Sequence, residues 1–174
     1  MKALLGKSVY LRALEPEDLT FLFENENDEE FWQVSHTQQP FSKYILKKYL
    51  GNAHLDIYEI KQLRLIIALT NNDEPIGMID LYDYDPKHKR AGVGILILSS
   101  FQGNGYASEA LHLIIKYAFN QLDIHQLFAC IGSENLKSIK LFESAQFKVS
   151  GIKKDWNFYK GKFHDELFLQ LISN

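Results

Sequence analysis

Between residues 9 and 14 the chain alternates apolar and mixed side chains (V-Y-L-R-A-L), the two-residue period of a short strand. Glu15-Pro16-Glu17-Asp18 then opens a helix, with proline near the first helical position and carboxylates in the first turn. Leu19, Phe21, Leu22 and Phe23 supply its apolar residues, and a strongly acidic stretch follows at residues 24–30. Phe41-Ser42-Lys43 opens a second helix with Ser42 as its N-cap. From residue 63 the pattern turns to β. Residues 63–70, 76–84 and 91–98 are three strands joined by short turns, hence an antiparallel meander. A glycine-containing loop at 101–105 leads into a helix over 106–121, where Ala107, Ala110, Leu111, Ile114, Ile115, Ala118 and Phe119 recur at helical spacing. A strand at 127–131 and a helix at 134–146 come next. Residues 147–151, 156–159 and 164–171 read as strands, the last two joined by a Lys160-Gly161-Lys162 turn. Without repeat or linker, residues 1–174 form one domain of the α+β class, with a mixed, mostly antiparallel sheet flanked by helices.

Composition narrows the chemistry. The 19 Lys+Arg against 22 Asp+Glu give a formal charge of −3, without the basic excess of a nucleic-acid binder. The single cysteine, Cys130, excludes an intramolecular disulfide and a multi-thiolate metal site, and suits a reducing cytoplasm. The six histidines are scattered, so no metal is expected. The apolar run at 95–98 is far short of the ~20 residues that span a bilayer, so a soluble protein with no membrane partner is expected. Oligomeric state is open, and a homo-oligomer is compatible with all of this.

The most informative segment runs from Ile95 to Ala110: I-L-I-L-S-S-F-Q-G-N-G-Y-A-S-E-A, which is strand, glycine loop and helix start. Such a junction presents unpaired backbone N–H groups at the positive end of a helix dipole, a ready seat for a pyrophosphate. Gly103 and Gly105 remove the Cβ atoms that would keep phosphate oxygens away. The loop lacks the Gly-Lys-Ser/Thr ending of a nucleotide P-loop and the Gly-x-Gly-x-x-Gly of a dinucleotide site.

Gln102-x-x-Gly105-x-Ala107 resembles the acetyl-CoA loop of the GNAT acetyltransferases, as does the Tyr-Ala-Ser-Glu-Ala continuation at 106–110. One helix and one strand later, the segment from Asn135 to Phe147 is similar to that family's Asn-x-x-Ser-x-x-Leu-Tyr-Glu-x-x-Gly-Phe pattern. Leu11-Arg12, Glu17-Asp18-Leu19 and Gly77 before Ile79 resemble the branch that acetylates ribosomal-protein alanine and spermidine or related diamines. The resemblance covers roughly residues 8–171. It implies the GNAT fold and an N-acetyltransferase using acetyl-CoA as co-substrate. It also implies that Ile95, Leu96 and Ile97 splay from the next strand and offer main-chain groups to the pantetheine arm. Amides of Gln102, Gly103, Asn104, Gly105, Tyr106 and Ala107 would hold the pyrophosphate. Asn135, Ser138 and Phe142 would lie along the cofactor.

The same resemblance implies direct attack of a neutral amine on the thioester, and here the chain departs from the pattern. Phe142 stands where the family's proton-donating tyrosine is expected, and Gly92 where many relatives carry Glu. A general acid or base contributes ~10²–10⁴-fold, so these losses slow an enzyme without abolishing it. Freeing a lysine-like amine near pKa ~10.4 at neutral pH costs roughly 5 kcal/mol, and a protein α-amine only about 1 kcal/mol. That favours, slightly, a small amine of low pKa or a protein N-terminal α-amine as acceptor, with a polyamine as the alternative. Asp80 is the candidate proton acceptor. Strand alternation puts Asp83 on the opposite face, and Tyr106 and Tyr159 are further candidates as acids. The acidic stretch at 24–30 either steers a cationic substrate or is a solvated helix end. A reading from another class is a CoA-binding sensor that has lost catalysis.

Overall fold

The computed structural model describes residues 4–35, 37–53 and 55–173, with only the backbone of residues 33–35. The outer ends of the expected domain, residues 1–3 and 174, lie outside the described residues.

Strand β1 (Val9–Arg12) leads through a 3₁₀ turn, Pro16–Asp18, into α1 (Leu19–Glu26), α2 (Glu29–Ser35), α3 (Lys43–Gly51) and the short α4 (Ile57–Ile60). Then come β2 (Leu63–Leu69), β3 (Pro75–Asp85), β4 (Arg90–Ile97), α5 (Tyr106–Asn120), β5 (Gln126–Gly132), α6 (Leu136–Ser144), β6 (Lys148–Tyr159) and β7 (Lys162–Ile172). The strands form one sheet in the order β1-β2-β3-β4-β5-β7-β6. Every pairing is antiparallel except that of β4 with β5. The expected α+β class, mixed sheet and meander are all present.

Alternation along the strands feeds two cores. One face carries Leu65, Ile67, Ile79, Leu81, Val93, Leu127 and Leu169 toward α5, which buries Ala110, Leu111, Ile114 and Ala118. Each fully buried aliphatic side chain contributes about 1.5–3 kcal/mol, which makes α5 the main brace of the sheet. The other face carries Ile66, Ala68 and Met78 against Leu22 of α1 and Leu46 of α3. Ser42 caps α3 as expected, accepting from the Ile45 N–H at 3.2 Å.

Three local readings change. The strands expected at 147–151 and 156–159 are one strand, β6, which begins at Lys148 and whose pairing with β7 slips at Val149/Gly151 and again at Lys153/Asn157. Asp155, at φ 48°, breaks the alternation there, so one bulged strand looks like two. The helix expected at 134–146 is shorter, because Asn135 ends the loop as its N-cap. Within the acidic stretch the chain breaks and restarts, α2 beginning at Glu29 where Asp28 Oδ1 accepts from the Glu30 N–H at 2.9 Å.

Near the start of the chain, Arg12 of β1 grips Asp18 with two hydrogen bonds, Nη1 to Oδ2 at 2.7 Å and Nη2 to Oδ1 at 2.8 Å. Asp18 also accepts from the Glu15 N–H at 2.8 Å. Burial alone would raise this carboxyl, but the guanidinium and the amide outweigh it and hold it below the usual carboxylate range. A second anchor joins distant segments. Glu109, in the first turn of α5, accepts from the N–H groups of Lys7 and Ser8, the latter at 2.9 Å.

Candidate functional site

The parallel ladder between β4 and β5 lasts three rungs, from Arg90↔Gln126 to Gly92↔Phe128. Beyond it, β4 runs on to Ile97 and β5 to Gly132 without pairing to each other, so the sheet opens in a V. The Leu98 N–H bonds to Ile76 on the β3 side at 2.9 Å. Main-chain groups alternate along a strand, so those of Val93, Ile95 and Ile97 turn toward the gap. The gap widens into a cleft of about 1090 Å³.

Val93, Gly94 and Ile95 form one wall of the cleft, and Cys130 to Asn135, with Ser138 and Phe142, form the other. Its far end is closed by Glu29, Trp32, Thr37 and Gln38 and by Trp156 to Lys160 of the β6–β7 hairpin. Asn135 faces the cleft while its Oδ1 accepts from the Ser138 N–H at 3.1 Å. Phe142 is buried, edge-on to Phe147 at 5.0 Å, and carries no proton to give. Leu96 and Ile97 pack into the two cores, so only the main chain of this stretch bears on the gap.

The glycine loop continues from β4 rather than lining this cleft. Gly103 and Gly105 take left-handed φ of 81° and 83°, which turns the chain into α5 with Gly105 as N-cap. No described residue accepts a hydrogen bond from the N–H groups of Gly103, Asn104, Gly105, Tyr106, Ala107 or Ser108. That row of donors is the anion seat the loop pattern called for. Gln102 ties it to both walls: its Nε2 donates to the Ile97 carbonyl at 3.1 Å, and its Oε1 accepts from Lys137 Nζ at 3.5 Å. A Cβ at Gly103 or Gly105 would meet nothing within 4 Å, so the approach from solvent is open.

Asp80 lies one strand away from the cleft wall, beside Gly94, and is not on that wall. Both its oxygens are taken by Arg64, at 2.7 Å each, and Arg64 also binds Glu26 and lies over the Tyr49 ring. A proton acceptor needs a free lone pair aimed at the substrate. Each Asp80 oxygen keeps a second lone pair, but the residue is not part of the cleft lining, so that role would have to be played from outside the wall. Asp83 sits exposed in a bulge at φ 48°. Tyr106 packs against the core, and Tyr159 lines the cleft.

The sequence reading missed much of the far wall. Trp32 is positioned by its Nε1, which donates to the Glu26 carbonyl at 3.0 Å. Glu134 accepts from His164 Nδ1 at 3.0 Å and pairs with Lys162 at 3.5 Å, joining the hairpin to the β5–α6 loop. Lys153 reaches the buried Glu166 at 2.9 Å and sits 4.9 Å from the centre of the Trp156 ring. Cys130 faces the cleft, but burial and the nearby Glu166 push its thiol up despite Lys153, so it stays protonated and a poor nucleophile. Adjacency on an edge hairpin full of bulges is what hid these groups. Among the described residues, no helix is long and apolar enough to cross a membrane.

Known proteins share this arrangement. The family described as an acetyltransferase (GNAT) domain matches residues 8–148. The spermidine N(1)-acetyltransferase of Escherichia coli K12 is 26% identical over 160 residues, covering 92% of this chain and 83% of that protein. A putative ribosomal N-acetyltransferase of Bacillus subtilis is 30% identical over 96 residues, 55% of this chain and 52% of that protein. The crystal structure of a spermidine N-acetyltransferase from Vibrio cholerae in complex with CoA and spermine superposes with a TM-score of 0.87 at 23% identity, covering 96% of each chain.

Proposed function

The chain belongs to the GNAT acetyltransferase family and is an acetyl-CoA-dependent N-acetyltransferase, and from that premise we propose that its acceptor is a polyamine. The observation that carries the co-substrate's placement is the V between β4 and β5 beside the donor row at 103–108. Acetyl-CoA supplies an activated acetyl thioester. In this reading the amides from Gly103 to Ala107 hold its pyrophosphate, with Gln102 fixing the loop to β4. The inward main chain of Val93, Ile95 and Ile97 takes the pantetheine arm as an added strand would be taken. Asn135 and Ser138 contact the arm from α6, and Phe142 closes it off from water.

The polyamine reading rests on the far wall. Glu29 and Glu134 bring negative charge to the cleft, and Trp32 and Trp156 bring aromatic faces. The Trp156 ring already has one ammonium, that of Lys153, beside it. Aromatic faces and carboxylates together select cationic amines. The relatives named for spermidine support the same class. With Asp80 engaged by Arg64, the amine's proton leaves through the carboxylates of this wall, Glu29 foremost. A single cysteine, which allows no disulfide within the chain, fits a cytoplasmic location.

A second reading, a protein N-terminal α-amine, draws on the ribosomal relative and on the small deprotonation cost of about 1 kcal/mol for such an amine. Acetyl-CoA-dependent thiol release on a panel of polyamines, aminoglycosides and N-terminal alanine or serine peptides tests both. Turnover of spermidine-like amines above the peptides is the expected result. Turnover of the peptides alone transfers the assignment to the second reading.

A further inference from the structure

The last rung of the β4–β5 ladder is Gly92↔Phe128, and the side chain lying over it belongs to neither strand. Tyr82 on β3 is the cross-strand partner of Gly92, and paired residues project to the same face of a sheet. Its ring covers the glycine so closely that a Cβ at position 92 would stand 2.3 Å from Tyr82 Cζ and 2.4 Å from Cε2. The backbone of Gly92 is not left-handed, so the ring alone excludes a side chain there.

From Gly92 the ring reaches across to β5. It meets Phe128 edge-on at 5.7 Å, and Phe128 stacks on Phe168 of β7 at 5.4 Å. Cys130, two residues past the last rung and already inside the opening, is among the groups that act on the Tyr82 phenol. On the other flank, Tyr82 Cε1 is 3.8 Å from where a Cβ of Gly94 would be. Gly94 and Cys130 both line the cleft, on opposite walls. One rigid ring therefore spans the point where the two strands part.

We propose that Tyr82 is a positioning residue for acetyl transfer: its ring, admitted by Gly92, is the wedge that fixes where β4 and β5 separate and how wide a gap receives the thioester end of acetyl-CoA. This rests on the arm of acetyl-CoA lying in that gap. Burial, with Cys130 and Asp83 adding to it, keeps the phenol protonated, so Tyr82 acts through the strands it holds rather than as a base. Gly92 is accordingly the space the wedge requires, and more than a missing carboxylate.

The test uses the full chain with Tyr82→Phe, Tyr82→Val, Gly92→Ala and the Tyr82→Val/Gly92→Ala double variant, read by CoA titration, steady-state kinetics and thermal midpoint. Tyr82→Phe keeps the ring and should keep CoA affinity and kcat/KM. Tyr82→Val removes the wedge and Gly92→Ala displaces it. Each should weaken CoA binding and lower kcat/KM by roughly 10–100-fold, as an ångström-scale misplacement does. In the double variant the added methyl meets no ring, so the loss should be no greater than for Tyr82→Val alone. Multiplying losses, equal losses for Phe and Val, or wild-type behaviour of Tyr82→Val would overturn the proposal. If Tyr82→Val does not fold, Gly92→Ala carries the test, and unchanged binding and kinetics in it overturn the wedge. Failure of the wild-type chain to bind CoA defeats the co-substrate's placement, whereas binding that is indifferent to these variants defeats only the wedge.

Discussion

Arg64 presents Nε and Nη2 to the two oxygens of Asp80, each at 2.7 Å, and turns Nη1 to Glu26. Two carboxylates thus share one guanidinium, joining β2, β3 and α1. Coulomb attraction to Asp80 and Glu26 outweighs the burial that opposes it and holds Arg64 firmly charged.

Asp80→Asn should therefore act on stability before chemistry. It removes one arm of a bidentate pair whose members are both 19% exposed, and should lower the unfolding free energy by about 2 kcal/mol. The pH profile of kcat/KM should keep its shape. A flattened acidic limb with an unchanged denaturation midpoint would restore Asp80 as the proton acceptor.

Asp18 gives a pH dependence with a definite sign. Its carboxyl is depressed in the folded chain, so its contribution is complete above the unfolded carboxylate value of ~3.9 and is lost as pH falls through the lower folded value. Denaturant titrations of the wild type should lose stability below about pH 4 more steeply than those of Asp18→Asn, which starts lower by roughly 2–4 kcal/mol. Parallel curves for the two proteins would exclude this source of acid sensitivity.

Gly103→Ala and Gly105→Ala separate binding from folding. Each forces an alanine to φ near 80°, at about 1–2 kcal/mol of strain, into space that is otherwise empty. The loop relieves that strain by shifting its amides. CoA affinity should fall about tenfold or more while the thermal midpoint drops by only a few degrees. Unaltered affinity in both variants would place the pyrophosphate elsewhere.

Turnover of a polyamine should decline steeply with added salt, since attraction to Glu29 and Glu134 across open solvent is screened within a Debye length of ~8 Å at physiological ionic strength. Glu29→Gln should raise KM for a polyamine several-fold and leave KM for acetyl-CoA unchanged. Salt-insensitive turnover would argue against electrostatic capture.

Much of this was legible in the chain. Ser42, the spacing of α5 and the two glycines of the loop are local signals, each decided within a few residues by capping, periodicity or a left-handed turn. The Arg12 and Asp18 positions were noticed only as a likeness, and the paired hydrogen bonds between them supply the physical reason. What escaped reading depends on strands distant in sequence. Gly92 looked like an absence until Tyr82, ten positions earlier, was found occupying its space. Alternation pointed to two strands where β6 is one, because Asp155 interrupts the period in its middle. Asp80 had the right chemistry, but its partner Arg64 comes from a different strand.

The grip of Glu109 on Lys7 and Ser8 spans 102 and 101 positions of sequence and ends on the helix turn that follows the donor row. Gly6 is fitted into the same joint, for a methyl there would stand 2.3 Å from the Glu109 oxygen. The opening residues of the chain are thereby fastened to the helix that presents the anion seat. Loading that seat should slow hydrogen exchange at the Ser8 amide, making the protein's beginning a remote witness to whether its co-substrate is aboard.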